Sequence, residues 1–238
     1  MSEVFEIGDV TVEVVKKDIK NVHLTVHPPQ GRVRIAAPER MKLDTIRLFA
    51  ISKLAWIRRE QAAMRAQQRE PPREYIDRES HYVWGRRYLL KLVEREAPTA
   101  VEVTHSVLVL YVRPGTSEAR RHEVLAQWYR ERVRAAVGPL MAKWTATLHV
   151  EAGRLFVQHM KTKWGSCNPS AATIRLNTEL AKKPLECLEY VLIHELAHLL
   201  EPTHNDRFRR IMDRHLPQWP HVRDELNRAP LGHLDWDY

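Results

Sequence analysis

Residues 191–208 read VLIHELAHLLEPTHNDRF and set three imidazoles and a carboxylate into an otherwise apolar run. His194 and His198 are four residues apart, so on a helix they stand one above the other on the same face, with Cβ atoms about 6 Å apart. Two imidazoles so placed can grip one ion. Zinc accepts nitrogen at about 2.0–2.1 Å in tetrahedral geometry, and a catalytic site needs three protein ligands plus one open position. Glu195 adjoins the first histidine, where its carboxylate would meet a water rather than the ion. The third ligand must come from beyond the helix. Glu201 shares the histidine face, but at 1.5 Å rise per residue it lies about 10 Å along the axis from His194 and overshoots. His204 is better placed, because Pro202 discourages further helix and lets the chain turn back. Asp213, His215 and Glu225 are further side chains able to ligate.

Such a constellation implies one Zn2+ ion and hydrolysis, with water activated at neutral pH and Glu195 as general base. Donors for the developing charge are sought upstream, in KTKWGSC. Lys161 and Lys163 alternate along an expected strand, with Trp164 on the other face until Gly165 lets the chain bend. That strand could pair with an extended peptide, or its lysines could hold phosphates. The plainer alternative is a packed Trp164 beside solvated lysines. Arg207 and His215 follow the third ligand closely enough to reach a substrate oxyanion. For Asn177 and His159 a structural hydrogen bond is the expected role, and for Cys167 simple packing.

These side chains need a scaffold. Leu185, Leu188, Leu192, Leu196 and Leu199 recur at three- and four-residue intervals, predicting a helix over 184–200 whose apolar stripe excludes His194, Glu195 and His198. Asn205 or Asp206 caps a following helix through Phe208, Ile211 and Met212. Before the site, strands are expected at 154–160 and 172–177. A long helical pattern runs from Ser117 through Leu125, Trp128, Tyr129, Val133 and Val137. Gly138-Pro139 should kink or divide it, and Leu140, Met141 and Trp144 lie beyond. The segment 81–93 reads as a hairpin turning near Gly85, and 101–112 as strand. Alternation at Val10, Val12 and Val14, at Val22, Leu24 and Val26, and at Val33 and Ile35 predicts an antiparallel sheet, with a turn at 28–31. Residues 43–69 switch to a helical period on Ile46, Ala50, Leu54, Ile57 and Ala62, ended by Pro71-Pro72. No repeat is evident. The class is α+β: a β-rich region over 1–116 with one long helix, then a zincin-like domain over 117–238 with a short sheet and the HExxH helix.

With 238 residues, 44% hydrophobic and 29% charged, the chain can bury a real core. No apolar run reaches the roughly 18–20 residues that span a bilayer. The first ten residues lack a basic-then-apolar export signal, so a cytoplasmic setting without membrane is expected. Two cysteines, Cys167 and Cys187, are too few for a disulfide framework and lack the CxxC spacing. A net charge of +8 favours anionic partners, including nucleic acid, although the arginines are spread as isolated pairs.

HELAHLLEPTHNDRF, with KTKWGSCNPSAATIRLN upstream, resembles the YgjP-like family of zinc metallopeptidases and is similar in organisation to SprT-like and gluzincin-type hydrolases. The shared pattern is WGSC, an RLN strand, HELxHL, and a histidine followed closely by phenylalanine, over about 155–220. Asn205 stands where the pattern usually has serine, and both residues cap helices well. The resemblance implies that His194, His198 and His204 hold the metal and that Glu195 is the base. The substrate it implies is a peptide or protein, with nucleotide phosphoanhydride cleavage as the alternative. A third reading is a nucleic-acid-associated module whose zinc is structural.

Overall fold

The alternating valines at 10, 12 and 14 all face inward, each no more than 1% exposed. The computed structural model describes residues 2–27, 31–66, 74–160 and 163–228. It divides into two units, Met1–Arg69 and Glu70–Tyr238.

In the first unit, β1 (Ser2–Ile7), β2 (Val10–Lys17), β3 (His23–His27) and β4 (Arg32–Pro38) form a sheet in the order β1-β2-β4-β3. β1 and β3 run antiparallel to their neighbours, but β2 and β4 run parallel. The sheet is therefore mixed rather than antiparallel. Alternation marks a strand and its buried face but is the same for either pairing direction, and β4 inserts between β2 and β3. The expected long helix is two, α1 (Leu43–Ser52) and α2 (Leu54–Ala66), interrupted at Lys53. Ile46, Ala50 and Ile57 from these helices close the core over Val12, Val33 and Ile35. The expected turn residues 28–30 and the prolines at 71–72 lie outside the described residues.

The second unit opens with β5 (Ser80–Val83), β6 (Arg86–Glu94), β7 (Ala100–Val103) and β8 (Val107–Val112), in the order β5-β6-β8-β7. Next comes α3 (Glu118–Leu148), capped by Ser117, whose Oγ accepts from the Arg120 N–H. This helix is continuous through Gly138 and Pro139. Glycine before the proline lacks the Cβ that the ring would otherwise meet, which removes part of the clash. The lost hydrogen bond and the contact with the preceding turn remain to be offset by packing. Buried Val133 and Val137 on one side, and Trp144 and Leu148 on the other, anchor both halves in one core.

β9 (Arg154–Gln158), β10 (Gly165–Asn168) and β11 (Thr173–Asn177) make a three-stranded sheet with β11 central, parallel to β9 and antiparallel to β10. The helices α4 (Leu185–Ala197), α5 (Asp206–His215) and α6 (Trp219–Arg228) follow. The unit boundary differs from the expected 116/117, because Leu90, Leu108 and Leu110 of the second sheet share one apolar cluster with α3 and α4. The α+β class stands. Among the described residues no helix is long and apolar enough to cross a membrane.

Candidate metal centre

α4 is buried around most of its circumference, not along one stripe. Leu188, Leu192 and Leu196 are fully buried, but so are Cys187, Tyr190, Val191 and Ile193, each 6% exposed or less. Leu185, expected on the inner face, is 44% exposed. An all-round buried helix runs through the middle of its domain. The polar groups it carries are consequently held in apolar surroundings and need partners.

The helix ends at Ala197, with His198 as its C-cap still in right-handed backbone conformation. The four-residue relation to His194 therefore survives the boundary. Past Pro202 the chain folds back as expected, and Asn205 caps α5 by accepting from the N–H groups of Arg207 and Phe208 at 2.9 and 3.1 Å. That cap delivers His204 to the other two rings. His194 and His198 lie 4.9 Å apart by ring centroids, His194 and His204 4.9 Å, His198 and His204 4.7 Å. One ligand atom from each falls within 4.8 Å of the others. Buried Phe208 touches all three rings at 4.8–4.9 Å and forms an apolar floor under them.

The donor chemistry fits a nitrogen-accepting divalent cation. His198 Nδ1 lies 3.1 Å from the Glu201 carbonyl. A carbonyl only accepts, so Nδ1 carries the proton and Nε2 keeps its lone pair. His194 Nε2 and His204 Nε2 face each other at 3.0 Å. Burial, and then the neighbouring His198 and His204, push His194 down to about 4, so it is neutral. His198 is lowered by burial as well. Neutral imidazoles, the form that burial favours at His194 and His198, are what such an ion needs. Glu201, set aside on spacing, bonds Thr203 Oγ1 at 2.9 Å and stays out of the cluster.

Glu195 is 7% exposed. Burial pushes its carboxyl up to about 7, against the opposing pull of the Lys163 charge and of the Cys167 N–H, which donates to it. A carboxyl near neutrality is poised to exchange protons. Its space comes from Gly165: a Cβ there would stand 2.8 Å from Glu195 Cγ and Oε1 and from Val191 Cγ1. Gly165 begins β10 and serves close approach rather than the expected bend, so Lys163 and Trp164 precede the strand.

A recess of about 470 Å3 unites Lys163, Trp164, Gly165, Glu195 and the three histidines. Tyr190 and Arg223 also line it and were not singled out from sequence. Tyr190 lies one turn before His194, at a spacing that would have found it, whereas Arg223 on α6 had no local signal. Cys167 lines the recess, its thiol pushed up to about 11 by burial and then by Glu195, so it stays protonated. Lys161 lies outside the described residues. Arg207 and His215 line a different recess, with Arg210 and Arg214, and Arg207 faces Glu201 at 3.9 Å. The expected role of Arg207 beside the metal therefore has no support in its position. Asp213 accepts from the Trp219 indole at 2.8 Å and, like Glu225, is not part of the histidine cluster.

The profile of the YgjP-like, metallopeptidase domain family matches residues 20–229. No curated protein matches the chain. Two crystal structures are among the solved structures that match part of it. One is the metallopeptidase zymogen of Methanocaldococcus jannaschii jannalysin, 20% identical over 37% of this chain and 84% of that one, with a TM-score of 0.34. The other is the metallopeptidase zymogen of Pyrococcus abyssi abylysin, 24% identical over 40% of this chain and 99% of that one, with a TM-score of 0.36.

Proposed function

Because the chain belongs to the YgjP-like metallopeptidase family, we propose that it is a zinc-dependent peptidase in which Glu195 is the general base. The observation that carries this reading is the gathering of three imidazoles beside one buried carboxylate in an open recess. His194, His198 and His204 would hold a single ion, with Phe208 excluding water beneath them. Bound zinc would supply Lewis acidity, polarising the scissile carbonyl and making hydroxide accessible near neutral pH. Glu195 takes the proton from the attacking water and passes it to the leaving nitrogen. Its carboxylate is aimed by the Cys167 N–H and by the space left at Gly165.

Peptide is favoured over phosphoanhydride by β10. This strand is an edge of its sheet, and Gly165, Ser166 and Cys167 line the recess, so an extended chain can add to it by main-chain hydrogen bonds. A second reading, nucleotide phosphoanhydride cleavage, draws on Lys163 and Arg223, the cations of the same recess. A structural zinc is disfavoured, because a closed sphere has no use for Glu195. The proposal keeps a cytoplasmic setting. Nucleic-acid association through the +8 charge belongs to it as a partner proposal, checked by the fall of affinity with salt.

The test compares zinc-loaded wild type with Glu195→Gln on an unfolded protein and on nucleoside triphosphates. Proteolysis by wild type alone supports the peptidase. Triphosphate cleavage without proteolysis transfers the site to the second reading. Equal activity in Glu195→Gln removes the general base.

A further inference from the structure

β9 and β10 lie on opposite edges of the three-stranded sheet, and the last residues of central β11 pair with the end of β9 and the start of β10. Asn177 is the last residue of β11 and is 4% exposed. Its Nδ2 donates to the carbonyls of Met160 and Lys163, both at 2.8 Å. Its Oδ1 accepts from the N–H groups of Met160 at 3.3 Å and Glu179 at 3.1 Å. Two donors and two acceptor sites are all a carboxamide has, so every one is used. The Asn177 N–H donates to the Trp164 carbonyl at 2.9 Å. One residue thus ties the exit of β9 to the entry of β10.

The strand that Asn177 anchors is the one against Glu195. Gly165 stands one residue beyond the tied Trp164 and has no room for a Cβ against Glu195, and Cys167 donates to the Glu195 carboxylate. Lys163, whose carbonyl Asn177 holds, is the cation acting on that carboxylate. We infer that Asn177 is a positioning residue for the reaction, setting through β10 where the Glu195 carboxylate and the Lys163 charge stand. It belongs to neither the histidine cluster nor the recess lining, and reaches the recess only through the backbone of Lys163 and Trp164. The inference rests on the peptidase reading for its catalytic half and on the hydrogen bonds alone for the clamp.

Asn177→Asp keeps the volume and removes both donors, leaving two carbonyls facing a carboxylate. Asn177→Ser is the smaller alternative should the first fail to fold. Hydrogen exchange on the zinc-free protein reads the clamp: amides of 160–168 should exchange faster while those of α3 stay as in wild type. Zinc stoichiometry and the visible spectrum of the cobalt-substituted protein should be unchanged. On the zinc enzyme kcat should fall roughly 10- to 100-fold, since misplacement by about 1 Å can cost that much, with KM near its wild-type value. Unchanged exchange over 160–168, or local loosening with kcat intact, overturns the inference, and so does a cobalt spectrum altered along with kcat. A wild-type protein that cleaves neither substrate would sink the proposed activity, and the exchange result would still decide the clamp.

Discussion

The sheets β1-β2-β4-β3 and β5-β6-β8-β7 are wired alike: outer pairs antiparallel, inner pair parallel, and a helical segment after the fourth strand. Each opens with a two-residue hairpin containing a glycine at positive φ, Gly8 at 62° and Gly85 at 77°. They differ in what the hairpin tip meets. At the first, Arg58 Nη2 donates to Asp9 Oδ1 at 2.6 Å across an exposed surface. At the second, the N–H groups of Trp84 and Gly85 donate to the carbonyls of Ala181 and Lys182, and Gly85 packs on Pro184, the cap of α4. One tip is tied by a solvent-screened ion pair. The other bears, through backbone, on the start of the helix that carries His194 and Glu195. The same wiring can thus close a small core or brace a site, depending on where one turn lands.

The largest effects are expected where the second unit holds its chemistry. Glu195→Gln should lower turnover by about 10²- to 10⁴-fold with zinc content intact, measured as kcat against metal stoichiometry. Equal loss after a substitution in the first sheet would break the contrast. Gly165→Ala should come next: the added Cβ collides with Glu195 and Val191, costing about 1–3 kcal/mol in denaturant melts and roughly 10-fold or more in kcat.

The two hairpin glycines sharpen the comparison directly. Gly8→Ala meets only the flexible end of Arg58 at 3.4 Å, so the cost is the left-handed backbone, about 1–2 kcal/mol. Gly85→Ala adds contacts of 3.0–3.3 Å with the Pro184 ring, and should unfold more easily than Gly8→Ala and alone reduce zinc affinity. Matching melts and affinities would remove the brace. The smallest change belongs to Asp9→Asn, which breaks an exposed pair worth at most about 1 kcal/mol and should leave turnover untouched.

Local chemistry was readable from residue types. The i, i+4 histidines, the turn back at Pro202 and the Asn205 cap all follow from short-range rules, and the structure places them so. Strand direction, the continuity of α3 through Pro139 and the near-complete burial of α4 did not follow. They depend on which element lies alongside, and periodicity carries no information about that. Gly165 is the instructive case. Its residue type announced a special position, but both a bend and a close approach require glycine, and the neighbour that distinguishes them, Glu195, is thirty positions away.

From the amino-acid order alone came the pairing of His194 with His198, proposed here as metal ligands, and the carboxylate beside them, because helix geometry makes near neighbours of residues four apart. Long-range packing settled the rest: the space Gly165 leaves for Glu195, the hold of Asn177 on Met160 and Lys163, and the entry of Tyr190 and Arg223 into the recess. Such contacts join residues distant along the chain, and they exist only once burial of a common core has brought those segments together.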